Sequence, residues 1–316
     1  MAYVRVTGRC LINVHTANTE GAVGNYMALS KMFIVRRTNE GYDVQEEPVI
    51  SGNMIKHWHA IATTEILRSW GYNVICDSCR RHVMYRSVLG LNEEYEYLQK
   101  CAIEDLHGFL DAIKQIRRES IIKFSFMIPV EEQRSEFFSI THNRVVIDEE
   151  GKIPKGEQAM MVMKREYASG IYGFLCSMDL AFAGVSLANP DKKLPQHDRK
   201  IRARAAIVAL IDLFSGHFGA AQSRATPIIK TLELICIASR RPIPNAVHGF
   251  YMDYAEETAG IVKAAINQGL VKQDEIKIVV VGRPASIFKA EQILIDETKT
   301  VSEAITKILE ASDQWL

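Results

Sequence analysis

YVRVTGRCLINVH, residues 3–15, is the stretch that decides the fold class. Val4, Val6, Cys10, Ile12 and Val14 fall on one parity, and Arg5, Thr7, Arg9 and Asn13 on the other. Alternation with a period of two predicts a half-buried strand over 3–14, with Gly8 marking a bulge. Outward from it, HTANTEGAVGN (15–25) is polar, glycine-bearing and aperiodic, a loop leaving the end of that strand. Residues 30–37 and 42–46 read as a hairpin turning at Asn39-Glu40-Gly41. Ser51 as N-cap, with Ile55, Trp58, Ile61 or Ala62, Ile66 and Trp70 as a helical stripe, predicts a helix stopped by Gly71.

Farther along, residues 76–107 are mixed in character and read as an insertion. SIIKFSFMI (120–128) is a strand ended by Pro129. An arm follows over 141–166: a short strand HNRVVI, the turn DEEGKIPKGEQ and a Met-rich return, AMMVMKRE. IYGFLCSMDLAFAG (171–184) is another strand, a helix runs from about 199 to 214, and SGHFGAAQSRATP (215–227) is a glycine-containing loop before apolar TLELICIAS. A helix (253–268), the strand IKIVVVG (276–282) and a last helix (299–312) complete the chain. Strands and helices alternate irregularly, which predicts an α+β fold rather than a doubly wound sheet.

At 316 residues, the chain is long enough for two domains or one elaborated domain, at roughly 150 residues each. Lys plus Arg and Asp plus Glu are 38 each, and neither half is a charged tail, so any anion site must be local. No apolar run reaches the roughly 18 residues of a membrane span, and the alternating N-terminus is not a signal peptide. Six cysteines are too few for a disulfide scaffold. The expectation is a soluble, cytoplasmic protein without a membrane partner.

Three segments and one cysteine pair could carry chemistry. In VISGNMIKHWHA (49–60), Ser51, Gly52 and Asn53 open the helix and leave backbone N–H groups that favour a phosphate, with Lys56 adding a point charge. His57 and His59 lie about 200° apart on a helix, so they cannot share one metal; a capped core helix with histidines at its edge is the other reading. In the second loop, Gly216 and Gly219 permit close backbone approach while Gln222, Ser223 and Arg224 supply donors, though a plain surface connection fits as well. No Walker A loop is present, and VVVGRPAS (279–286) has too few glycines for a dinucleotide fingerprint. On the arm, His142, Asn143 and Arg144 accompany Met160, Met161 and Met163; flexible methionines either wedge between bases or simply pack. Cys76-x-x-Cys79, with Cys101 downstream and His82 or His107 as a fourth ligand, has spacing suited to structural zinc, against the reading of incidental thiols. Such a site would be worth roughly 10–16 kcal/mol to an insertion with little core of its own. No G-x-S-x-G, H-E-x-x-H or paired-aspartate signature supports catalysis.

VRVTGRCLINVHTANTEGAVGN, PVISGNMIKHWHA, EDLHGFL (104–110), HNRV, REYASGIYGF (165–174) and NAVHGFYMDY, in that order over residues 3–255, together resemble the DevR-type family of CRISPR-associated proteins, nearest the archaeal type I-A (Csa) branch. The resemblance implies a RAMP-superfamily fold: an RRM-like, ferredoxin-like palm (1–72, 108–130 and 168–316), inserted fingers (73–107) and a thumb (131–167). It also implies a non-catalytic subunit that polymerises along crRNA, holding its backbone without reading sequence, beside other Cascade subunits and target DNA paired to the guide. Carried onto this chain, Asn13, His15, Asn18 and Asn25 with Ser51–Lys56 and His57 would face phosphates. His142–Arg144 and the methionines would form the thumb, and Gly216–Arg224 a backbone-holding loop. No cofactor is required, and zinc rests on spacing alone. Two alternatives are a metal-independent endoribonuclease using His57 or His59 as base, and a transcriptional autoregulator.

Overall fold

From the N-terminus run β1 (Tyr3–His15), β2 (Thr19–Val23), β3 (Tyr26–Leu29), the hairpin β4 (Lys31–Thr38) and β5 (Gly41–Pro48), and the long helix α1 (Gly52–Ser69). Next come the short helices α2 (Asp77–Arg80), α3 (Glu94–Lys100) and α4 (Ala102–His107), and the short strands β6 (Phe109–Asp111), β7 (Ile116–Arg118), β8 (Ile122–Phe124) and β9 (Ile128–Pro129). The second half holds β10 (Glu136–Val145), β11 (Met160–Met178), α5 (Gln196–Phe214), α6 (Gln222–Ala225), β12 (Ile228–Ser239), α7 (Tyr254–Asn267), β13 (Ile276–Val281), α8 (Pro284–Ala290), β14 (Asp296–Thr298) and α9 (Val301–Asp313). This computed structural model describes residues 2–86, 89–145, 147, 151–152, 160–220 and 222–316. The side chains of Ala22, Arg144, Met160 and Met161 lie outside the described set, as does most of the turn DEEGKIPKGEQ.

The α+β expectation holds: the main sheet runs β14-β13-β12-β1-β11, with β8 and β9 on the far side of β11. β1 is antiparallel to both β11 and β12. β11 is longer than its sequence pattern suggested. Its C-terminal half lies beside β1, while its N-terminal half runs on to pair with β10 as the arm. SIIKFSFMI is not one strand but β8 and β9, two short pieces that both pair with β11.

Apolar positions of β1, among them Val4, Val6 and Ile12, pack with Leu210 of α5 and Ile308 of α9 in the principal core. The opposite parity was expected to meet water, yet Arg5 is 6%, Thr7 0% and Arg9 8% exposed. A strap, residues 243–251, crosses that face. Arg5 Nη2 donates to Ile243 O at 3.1 Å, Thr7 Oγ1 to Val247 O at 2.7 Å and Arg9 Nε to Gly249 O at 2.9 Å. Arg9 also bonds Tyr251 O and Glu132. The polar parity of the strand thus satisfies a backbone that has no sheet partner of its own.

Glycines let the strap lie flat on the sheet. A Cβ at Gly249 would fall 2.0 Å from Gly8 O, and one at Gly173 would fall 2.2 Å from Phe250 N. Gly8 serves a different close approach, since a Cβ there would meet Glu233 O of β12 at 2.2 Å, and the register slip against β12 comes just after it, between Arg9 and Cys10. At the end of β1 the parity flips. Val14 takes φ of +50°, a strained region for a β-branched residue, so it points outward at 45% exposure while His15 turns inward.

The EDLHGFL motif lies in the buried joint between the insertion and α5. Asp105 accepts from Arg118 Nη2 at 2.8 Å and Arg202 Nη1 at 2.9 Å, all three essentially inaccessible. His107 Nε2 and His59 Nδ1 are 2.8 Å apart, and His59 Nε2 reaches Ala206 O at 2.9 Å. Gly108 needs its φ of +72°, and a Cβ there would meet Arg118 O at 2.4 Å. Among the described residues, no helix is long and apolar enough to cross a membrane.

Two stability outcomes follow from this packing. Gly249→Ala forces a methyl into the strap and is expected to cost about 1–3 kcal/mol. Gly260→Ala, in the exposed interior of α7 with open space about it, is expected to stabilise by roughly 0.5–1 kcal/mol; denaturant titration of both variants checks the opposite signs. Burial lowers the pKa of His15 and of His59 to about 4, and burial followed by the charge of His59 lowers that of His107 well below 6.5. The unfolded chain then binds more protons than the native one between about pH 4 and 6.5. Stability should be complete above that window and fall as pH drops through it, by up to roughly 1.4 kcal/mol per pH unit for each histidine. Thermal midpoints at pH 7.5 and 5.0 test this, with the loss reduced in His59→Gln.

Candidate nucleic-acid interface

Three separated segments meet where β1 ends. Asn18, in the loop after β1, accepts from the Ser51 hydroxyl at 2.6 Å and the Ser51 N–H at 3.2 Å, and donates to Ser30 Oγ at 2.6 Å. Ser51 in turn caps α1, its Oγ accepting from Met54 N at 3.2 Å. The 215–227 loop docks on the same corner: Ala220 N donates to Ala17 O at 3.0 Å, and a Cβ on Gly219 would sit 3.2 Å from Ala17 Cα. Trp58 of α1 faces His217 of that loop, with ring centroids 5.3 Å apart.

Beside this corner an open groove is lined by Ser51, Asn53, Lys56, Glu119, Lys123 and Phe126. The first turn of α1 carries no acid, so its positive end is not neutralised from within the helix. Asn53 is exposed and Lys56 half-buried. Burial, with Arg86 close by, lowers the Lys56 ammonium to about pKa 8 against an opposing effect of Glu119. Phe126, 43% exposed, offers an aromatic face at the rim. The sequence reading missed Lys123 and Phe126: Phe124 and Phe126 share a parity, yet Phe124 is half-buried and Phe126 exposed, because the strand breaks between β8 and β9.

Several predicted contact residues do other work. His15 is buried, its Nε2 2.8 Å from Tyr172 OH, because Val14 flips the strand parity. Gly52 is covered by β8, where a Cβ would fall 2.3 Å from Phe124 O. Gly216 and Gly219 are also buried and bring this chain against itself, at Pro227 O and Ala17, rather than admitting a ligand. Asn18 latches the loop to the helix cap. His57 is half-buried and edge-on to Trp58. His59, with both ring nitrogens engaged, has none free for a substrate.

Other predicted residues stay accessible. Asn13 is half-buried and Asn25 exposed. Ser223 and Arg224 are exposed on α6, and Gln222 keeps its side-chain nitrogen buried with no acceptor among the described residues. On the arm, Asn143 is exposed and His142 is half-buried, with Nε2 2.9 Å from Tyr167 OH. Phe138 and Val162 add exposed apolar surface there. Arg144, Met160 and Met161 occupy the paired backbone toward the tip, where their side chains lie outside the described set.

In the insertion, Cys76, Cys79 and Cys101 come together, but neither histidine considered with them joins the group. His82 Nε2 lies 2.7 Å from Glu65, and His107 is held against His59.

Comparison with known proteins agrees in extent as well as in kind. The family described as "CRISPR-associated negative auto-regulator DevR/Csa2" matches residues 6–259. A Methanocaldococcus jannaschii protein named "CRISPR-associated protein Cas7/Cst2/DevR" is 34% identical, covering 98% of this chain and 99% of its own. The Saccharolobus solfataricus "CRISPR-associated aCascade subunit Cas7/Csa2 2" is 27% identical over 84% of this chain and 88% of that one. A solved chain of a "CRISPR RNA-guided surveillance complex" superposes with a TM-score of 0.52 at 11% identity, covering 98% of this chain and 99% of that chain. With the same fold and near full-length similarity to these relatives, the chain belongs to the DevR/Csa2 family of CRISPR-associated proteins.

Proposed function

We propose that this chain is a non-catalytic backbone subunit of a Cascade-type complex, polymerising along crRNA and holding its phosphates without reading its sequence. The observation that carries the reading is the convergence of three polar segments at the start of α1, beside an open groove and a two-stranded arm. Direct contacts are assigned to Asn53, Lys56, Lys123 and Arg224, with Phe126 as a stacking face.

The strand order β8/β9-β11-β1-β12, with α1 and α5 as the two crossovers, is that of a ferredoxin-like β-α-β-β-α-β unit, and we read it as an RRM-like palm. An RRM stacks bases on the open face of its sheet. Here the strap closes that face over β1, so RNA is assigned to the end of β1 and the rim of α1. The insertion 73–107 is read as fingers, and the arm as a thumb reaching a neighbouring copy. Copies of the chain, other Cascade subunits and DNA paired to the guide are the partners of this reading.

The decisive experiment is the nucleic acid content of the protein purified with a co-expressed CRISPR array. Recovery of crRNA-length RNA inside a multimeric, ribonuclease-shielded particle is expected. A bare chain that cleaves added repeat RNA would instead support an endoribonuclease. A complex with its own promoter DNA that resists RNA competitor would support the autoregulator that the family description names.

Lys56→Ala and Arg224→Ala are each expected to weaken RNA binding about tenfold and equally across sequences, as loss of a charge-assisted phosphate contact of roughly 1.5 kcal/mol does. Each should also lower the salt slope by about 0.7. Because Lys56 loses its proton near pH 8, affinity should fall between pH 7 and 9 at constant ionic strength, and Lys56→Arg should flatten that dependence. Met160→Ser with Met161→Ser should loosen filament regularity, seen by electron microscopy, while the monomer's thermal midpoint stays unchanged.

A further inference from the structure

We propose that Cys76, Cys79 and Cys101 bind one zinc ion that holds the 73–107 insertion against α1 and α5. The three sulfurs lie within 4.8 Å of one another, and all three residues are buried. Tetrahedral zinc, with bonds of about 2.3 Å, sets its sulfur ligands about 3.8 Å apart, so the cluster needs only small side-chain adjustment to close on the ion. None of the three is in a disulfide.

Cys76 and Cys79 are supplied by one short turn, α2, with Cys76 as its N-cap residue. Cys101 caps α4 and arrives from a separate stretch, so one ion ties two segments that are distant in sequence. Helices of four, seven and six residues supply the insertion's regular structure, each too short to stand alone. Around the thiols pack Leu67, Tyr72 and Ile103, with Ala205 of α5 behind them.

Charge closes the argument. Three thiolates and a divalent ion leave one net negative charge. Arg86, anchored through Nη1 on the carbonyls of His107 and Gly108, brings a guanidinium toward Cys79, Cys101 and Glu104. Among the described residues no fourth cysteine, histidine or carboxylate reaches the set, so the fourth position falls to water or another small monodentate ligand. This inference is independent of the RNA reading: an RNA-free chain would still carry the ion.

The test uses the full chain, purified without chelating resin. Elemental analysis should find about one zinc per chain, lost in Cys101→Ser but retained in Cys236→Ala. Cobalt(II) exchanged into the unaltered protein should show thiolate-to-cobalt charge-transfer absorption and tetrahedral ligand-field bands, a readout that survives if a variant fails to fold. Chelation should open residues 73–107 to protease before the rest of the chain. Metal-free protein whose cobalt form lacks charge transfer, or a disulfide between any two of the three cysteines, would overturn the assignment.

Discussion

The fold hangs on the bonds that Arg5, Thr7 and Arg9 of β1 make to the carbonyls of a crossing strap. A central strand in a sheet covered on both faces is normally apolar on both. This one carries cations on one face, because the layer above it is bare backbone that must be given donors. Gly173 and Gly249 bring the strap onto the sheet closely enough for those donors to reach. On the proposed reading the consequence is functional as well as structural. The strap takes the surface on which an RRM-type sheet would stack bases, and the strand end, with its strained Val14 and inward His15, is left as the place where loops can gather.

A second buried polar joint acts at the other side of α1. Asp105 sits between Arg118 and Arg202, and Glu94 accepts from Arg118 at 2.5 Å while taking bonds from Ser186 and two backbone N–H groups. Buried ion pairs of this kind are weak contributors to stability, but removing one partner leaves a stranded charge. Their effect here is to fix the insertion, α5 and the loop after β11 in one mutual arrangement. α1 is held between this joint and the Asn18–Ser51 latch, so its N-terminus is positioned from both ends.

Much of this was legible in the chain, and the failures have physical causes. The alternation of β1, the hairpin about Gly41, the Ser51 cap and the stripe of α1 all rest on local periodicity or turn chemistry, and each element stands where those signals put it. What periodicity cannot show is whether a polar face meets water or a donor-hungry backbone, and so β1 was read as half-buried. PNAVHGF has no period of its own, and its role emerges only in contact. The glycines of 215–227 and Gly52 signal close approach without saying to what, and in each case the partner is this chain. A parity flip at one β-branched residue moved His15 from the surface to the core. Asn18 and Ser51 were both singled out, though nothing local told that they would bond each other.

On the proposed reading, a protein with equal numbers of cations and anions holds a polyanion, and its neutrality would have a use. Among the described residues, basic groups near the strap and arm are paired, as Arg9 is with Glu132, Arg37 with Glu131 and Lys31 with Glu166. On the proposed reading few phosphates are neutralised per chain, so affinity for RNA by a single copy is modest and its salt dependence shallow. Tightness would then come from many copies engaging one strand, each raising the effective concentration of the next. A strongly basic monomer would coat any nucleic acid it met, whereas on the proposed reading a neutral one with a local groove would bind well only when assembled, and that would tie retention of the guide to completion of the filament.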